Sequence, residues 1–196
     1  MERLVIVPTL VEARFLEEAF GLSFVGGDYP TALLSPSTLV VVSGAGKVNA
    51  ALCTCRMLER YGPVELWVVG VGGAYPGSGF GVGDVVFAEE EVYGDEKFEP
   101  LRFGMKVPLE DVPTGVFITV SRMPEDVKEA ERLALAYGGA VENMEGAAVA
   151  HAASLFGVRP VEVRGISNIA GCREGWSLEA AMGAVVEFIR EREVWR

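Results

Sequence analysis

Residues 4–8 open the chain with an apolar, β-branched run, followed by Thr9 and a helical pattern in which Glu12 falls in the first turn. This spacing predicts a buried strand and a helix capped by Thr9. Residues 32–34 and 39–43, parted by Ser35, Pro36 and Ser37, read as a hairpin-like pair. A helix follows from 48 to about 60. Residues 66–71 are the most apolar strand. Residues 83–93 form a long strand carrying Glu89, Glu90 and Glu91 in its second half. Three adjacent acids in a paired strand would turn at least one inward, so the strand is expected to bend out of the sheet there.

Residues 94–113 are irregular, contain Phe98, Phe103 and Met105, and are long for a compact domain, which marks them as functional or as an interface. Residues 116–120 form a strand, and about 125–137 a helix of alternating charge. Ser177 caps a last helix whose Ala181, Val185, Phe188 and Ile189 make an apolar stripe. The order β-α-β-β-α-β-β-β-α-β-α-β-α implies an α/β protein. It is expected to be a single domain, 1–196, with a mixed central β-sheet flanked by helices on both faces.

The chain has 196 residues, half of them hydrophobic, with 24 glycines and a net charge of −11. Such a chain buries a sizeable core unaided. Its acidity argues against nucleic acid or an anionic membrane as partner, because phosphates are met by clustered Lys and Arg. No apolar run reaches the length of a membrane span, and a cytoplasmic location is expected. Three cysteines fit a reducing compartment. Cys53 and Cys55 point apart on a helix, and with one His in the chain no metal site is expected.

Candidate chemistry concentrates in residues 140–171, a strand, a helix, a turn and a second strand. Glu145 stands where strand gives way to helix, where backbone N–H groups and the helix dipole can hold an anion. Gly146 has no Cβ to keep a ligand from the backbone. Val161, Val163 and Ile166 would deliver Asn168 to the carboxyl edge of the sheet, where small ligands bind in open α/β folds. Glu12 falls at the carboxyl end of the first strand, beside Glu145 if the sheet is parallel, although spacing alone favours a solvated first-turn acid. Glu142 and Glu162 are expected to pair with Arg164 structurally, and His151 to face away from Glu145.

SGAGK fails as a phosphate loop, since Val48 and Val41 stand where Ser or Thr and the first Gly are needed. Tyr75 likewise breaks a GxGxxG reading. The bare backbone at Gly72 can still lie against a sugar or base.

NMEGAA with VRGISN, SGAGKVNAA at 43–51 and VGVGGAY…GVGDVV at 69–86 together resemble the purine nucleoside phosphorylase and nucleosidase superfamily, its nucleosidase branch above all. The resemblance implies a purine nucleoside as small-molecule substrate, no cofactor, and a homodimer or higher homo-oligomer. It implies that Glu145 binds the ribose hydroxyls with Met144 under the sugar, and that Glu12, in PTLVEA, activates the attacking water. Met123 would lie over the purine, and Phe103 would reach a neighbouring subunit's pocket. Asn168 replaces the Asp of adenine-directed members, and an amide suits a 6-oxopurine. Arg173 and Trp176 either cover the site or meet a carboxylate of the substrate, or else serve as a helix-start Arg and a packing Trp. Residues 70–75 hold no Arg, Ser or Thr for phosphate, which favours hydrolysis. A 6-oxopurine phosphorylase, a methylthioadenosine-type nucleosidase and a non-catalytic binding protein stay open at this point.

Overall fold

The first apolar run forms β1 (Arg3–Val7), whose successive side chains point to opposite faces of a sheet. Leu4 and Ile6 join Leu39 and Val41 in one core, while Val5 and Val7 join Val40 and Val42 in another. A strand buried on both faces needs a continuous apolar run, which explains why alternation is missing here. The computed structural model describes residues 1–63, 65–95, 101–172 and 174–195, and among them are nine strands and five helices.

Helices α1 (Leu10–Phe20) and α5 (Leu178–Glu191) cover one face through Ala13, Leu16, Val185 and Ile189. Helices α2 (Lys47–Tyr61) and α4 (Gly146–Ser154) cover the other through Ala50, Cys53, Met57, Ala147 and Val149. Thr9 and Ser177 cap α1 and α5 as expected, accepting from Glu12 N–H and Ala180 N–H. Helix α3 (Val127–Tyr137), capped by Asp126, buries Ala130 against Tyr75 and Ile118. No helix among the described residues is long and apolar enough to cross a membrane.

Strands β3 (Thr38–Val42), β1, β4 (Glu65–Ala74) and β9 (Val161–Ile169) run parallel, with β2 (Thr31–Ser35) antiparallel at the edge. Strand β9 also pairs antiparallel with β5 (Val85–Tyr93), which lies parallel to β7 (Thr114–Thr119). Then β7 lies parallel to β8 (Val141–Asn143), and β8 returns antiparallel onto the end of β4. These pairings close on themselves. They bring the carboxyl ends of β1, β4 and β9 beside β8.

Three expectations change. Strand β4 does not stop at residue 71 but continues through Gly72 and Gly73 to Ala74, with partners on both sides. A short extra strand, β6 (Arg102–Gly104), pairs with β5 inside the stretch expected to be irregular. Finally, β5 does not leave the sheet at its acids. A register shift between Ala88 and Glu90 leaves Glu89 exposed and turns Glu91 fully inward, where Thr119 O–H (2.7 Å) and Asn143 Nδ2–H (2.6 Å) donate to it. Buried donors remove the penalty that made a bend look necessary.

Candidate active site

Thr9 does more than cap α1. Its oxygen accepts from Glu12 N–H (3.2 Å), while its O–H donates to Glu12 Oε2 (2.6 Å). The other carboxylate oxygen accepts from Val71 N–H of β4 (3.0 Å). Held at both ends, this first-turn acid faces inward and is 5% exposed. Burial pushes its pKa above the ordinary carboxylate range, against the pull of Thr9, Arg164 and Val71 N–H.

Gly70 makes the room. A Cβ there would lie 2.7 Å from Glu12 Oε1 and 2.8 Å from Arg164 Nη1. Gly70→Ala is therefore expected to displace two buried, bonded groups, to cost about 1–3 kcal/mol of stability and to lower kcat/KM. Thermal melting and steady-state kinetics check this, and wild-type values in both would rule the crowding out.

Glu145 is the N-cap of α4, yet its carboxylate bonds none of that helix's own N–H groups. Asn143 Oδ1 takes two of them, from Glu145 N–H (2.9 Å) and Gly146 N–H (2.7 Å), and Thr119 Oγ1 takes Ala147 N–H (2.8 Å). The Glu145 carboxylate instead accepts from Gly46 N–H, at the start of α2 (2.9 Å), and from Arg164 Nη2 (3.3 Å). The anchoring expected from its own helix thus comes from another one. Gly146 is also reassigned: the space of its missing Cβ is filled by the Glu91 and Glu162 carboxyls, away from any ligand.

Arg164 joins the two halves of the site. It donates to Glu162 Oε1 (2.8 Å), to Val71 O (3.1 Å) and to Glu145 Oε2. Burial opposes its charge, but Glu162, Glu145 and Glu12 hold it protonated. Glu91 is pushed well up, by burial first and then by Glu162. Glu162 pairs with Arg164 as expected; Glu142 does not. Its side chain stands on the cavity side of β8 instead.

These groups border one cavity of about 240 Å³. Glu12, Glu145 and Asn168 all line it, as do Gly72, Met144, Met123 and Trp176. Asn168 lies near the end of β9, opposite Gly73 of β4. Ser167 O–H donates to its Oδ1 (2.8 Å), and its Nδ2 donates to Ile169 O (3.2 Å). With the oxygen engaged, the amide offers its remaining N–H to a ligand.

Phe103 does not line this cavity: it stacks on His151, 5.1 Å between ring centroids, with Tyr93 at its edge. Arg173 lies outside the described residues. Arg102 is spent on Glu90 and on Tyr137 O (2.9 Å). Among the described residues Arg164 is the one cation on the cavity wall, and it is already bonded. Sequence reasoning missed Arg164 as the hub, Asn143 as a cap, Gly46 as an anchor and Glu142 as a lining acid. Strand alternation is the one local signal that could have pointed to Glu142 or Asn143, and both line the cavity.

A buried base, an anion fixed by a backbone N–H and a guanidinium, and an amide donor along the wall suit a bond whose cleavage leaves a cation on one side and an electron-rich group on the other. The model of the phosphorylase superfamily matches residues 9–110 and 102–192. Futalosine hydrolase of Thermus thermophilus is 34% identical, over 95% of this chain and 93% of its own. A 5′-methylthioadenosine/S-adenosylhomocysteine nucleosidase of Geobacillus is 28% identical, over 78% of this chain and 77% of its own.

Among solved structures, the Helicobacter pylori methylthioadenosine nucleosidase D198N mutant with 5′-methylthioadenosine in its active site superposes with a TM-score of 0.86 at 20% identity, covering 98% of both chains. The native futalosine hydrolase of the same organism gives 0.83 at 18%, covering 98% of this chain and 97% of its own. Those structural likenesses speak for the fold. The family model and the Thermus relative, both spanning nearly all of the sequence, go further: the chain belongs to the phosphorylase superfamily.

Proposed function

We propose that this protein is a nucleosidase that hydrolyses futalosine to hypoxanthine and dehypoxanthinylfutalosine, a step of menaquinone biosynthesis. The observation that carries the reading is the convergence of Glu12, Glu145 and Asn168 on one cavity, in a chain 34% identical to a futalosine hydrolase. As the C1′–N9 bond breaks, positive charge gathers on the ribose and the bonding electrons move onto the purine. Glu145 binds the 2′ and 3′ hydroxyls and faces the developing cation, with Met144 beneath the sugar. Glu12 takes the proton of the attacking water. Asn168 donates to N7 or O6 of the leaving base.

Water is favoured over phosphate by the composition of the wall. No Arg, Ser or Thr occurs in residues 70–75, and Arg164 is engaged by two carboxylates and a carbonyl. A phosphate dianion would meet Glu12 and Glu145 with no uncommitted guanidinium among the described residues of the cavity wall. A homodimer or higher homo-oligomer in the cytoplasm belongs to the same reading, with Phe103 on the outer strand β6, turned to a neighbouring protomer.

Incubation with futalosine, inosine and 5′-methylthioadenosine, with and without phosphate, tests it. Hypoxanthine released from futalosine at a rate indifferent to phosphate is the expected result. Phosphate dependence would indicate a phosphorylase, and adenine release from methylthioadenosine alone would indicate the other nucleosidase.

A further inference from the structure

One acid on the cavity wall has no part in the mechanism above. Glu142 lies on β8 opposite Gly73, and Asn168 lies on β9 opposite the same residue from the other side. Side chains at paired positions share a face of the sheet. Because Gly73 has none, the two converge above it: the point where its Cβ would be is 2.8 Å from Glu142 Oε1 and 3.1 Å from Asn168 Nδ2. Glu142 is 3% exposed, and its Oε2 has no hydrogen-bond partner among the described residues. A buried carboxyl oxygen without a partner is costly. Here it stands at the junction of the main cavity with an adjoining groove, bordered on both sides by Met123, Asn168 and Trp176.

We infer that Glu142, in its protonated form, is the general acid that delivers a proton to the departing purine beside the Asn168 amide. The inference rests on the nucleosidase reading and adds a catalytic residue to it. An amide can donate a hydrogen bond but cannot give up a proton, so with Asn at 168 the base needs an acid from elsewhere. In the step, the C1′–N9 bond breaks with its electron pair passing to the purine, and the Glu142 proton moves to the purine ring. Water adds to C1′ and loses a proton to Glu12. Glu142 then regains a proton from solvent and Glu12 releases one, so the sum is nucleoside plus water giving sugar plus neutral base.

The surroundings of Glu142 suit the role. Burial, followed by Glu129 of α3, pushes its pKa up to about 7, so it holds a proton near neutrality. Tyr75 faces it from the end of β4 and stays neutral, its own pKa raised by burial and then by Glu142. Arg122, in the adjoining groove, is paired with Glu125 and Glu129. From β9, Arg164 is committed to Glu162 and Glu145.

Glu142→Gln tests the inference with two substrates. Futalosine needs its leaving base protonated, whereas 4-nitrophenyl β-ribofuranoside releases a stable phenolate and needs no acid. The variant is expected to lose about 10²-fold in kcat on futalosine. It should keep its rate on the nitrophenyl riboside within about threefold, because no proton transfer is at stake there. The fall of wild-type kcat above about pH 7 should vanish from the variant's profile. Equal losses on both substrates would reduce Glu142 to a structural group, and an unchanged futalosine rate and profile would overturn the inference outright. The wild type reports separately on the function. If it cleaves another purine nucleoside but not futalosine, the futalosine reading falls, and Glu142 is judged by the same ratio on that nucleoside. If it cleaves only the nitrophenyl riboside, both fall.

Discussion

Glu12→Gln is expected to lower kcat by about 10³-fold, within the range for a positioned proton acceptor, in a protein that still folds. Gln keeps an oxygen for Val71 N–H and a polar end for Thr9, so the shell around position 12 can stay bonded. What disappears is the capacity to take a proton from water. Glu145→Gln is expected to lose about 10²–10³-fold for a different reason, the removal of a fixed negative charge from beside the developing cation. Both carboxylates face Arg164, so the double variant should lose less than the product of the single losses. Steady-state kinetics with circular dichroism as a check on folding decide the matter, and full activity in Glu145→Gln would remove the central assignment.

The protonation of Glu12 adds a sign that can be checked. Its pKa is raised, mainly by burial, so the working ionised form is lost at a pH higher than for an ordinary carboxylate. Activity should climb with pH through that raised value. The stability contribution runs the other way. A carboxyl with a raised folded pKa stabilises the fold fully at pH below its unfolded pKa, and that contribution is lost as pH rises through the folded value. In the proposed mechanism Glu12 works in the ionised state that burial disfavours, a common arrangement for a general base.

Much of the fold was legible because strand cores and helix caps are local signals. The apolar runs of β1, β3 and β4 and the caps at Thr9 and Ser177 each follow from neighbouring residues. The places where sequence reading failed involve distant partners. Glu91 looked too costly to bury because Thr119 and Asn143, which satisfy it, lie 28 and 52 residues away. Glu145 was placed correctly, but its anchor at Gly46 is 99 residues off, and no periodicity predicts that meeting. Asn143 read as one more strand residue, though its carbonyl oxygen caps α4 and so frees Glu145 for the cavity. Glu142 was assigned to Arg164 because opposite charges on nearby strands suggest a pair. The hairpin-free return of β8 onto β4 sets it beside Asn168 instead, and only the register reveals that.

Asn168→Asp is expected to reverse the choice of base, lowering the ratio of kcat/KM for a 6-oxopurine nucleoside over its 6-amino analogue by about 10²–10⁴-fold. The size follows from what a site loses when a buried polar group meets the wrong partner. A 6-oxopurine presents two acceptors, N7 and O6, and in the proposed pose the one N–H that Asn168 keeps free, with Ser167 and Ile169 holding the amide in that orientation, donates to one of them. An ionised Asp would set a negative oxygen against O6. A protonated one could donate to N7 while accepting from a 6-amino group, which matches adenine. Glu142 makes the protonated form more accessible, since two carboxyls above Gly73 cannot both ionise cheaply and one must hold a proton. The variant should therefore gain on the 6-amino substrate as well as lose on the 6-oxo one, whereas simple damage to the site would depress both together. Measuring kcat/KM for futalosine and its 6-amino analogue in both proteins separates the two. An unchanged ratio would mean that the base is read by some other part of the wall.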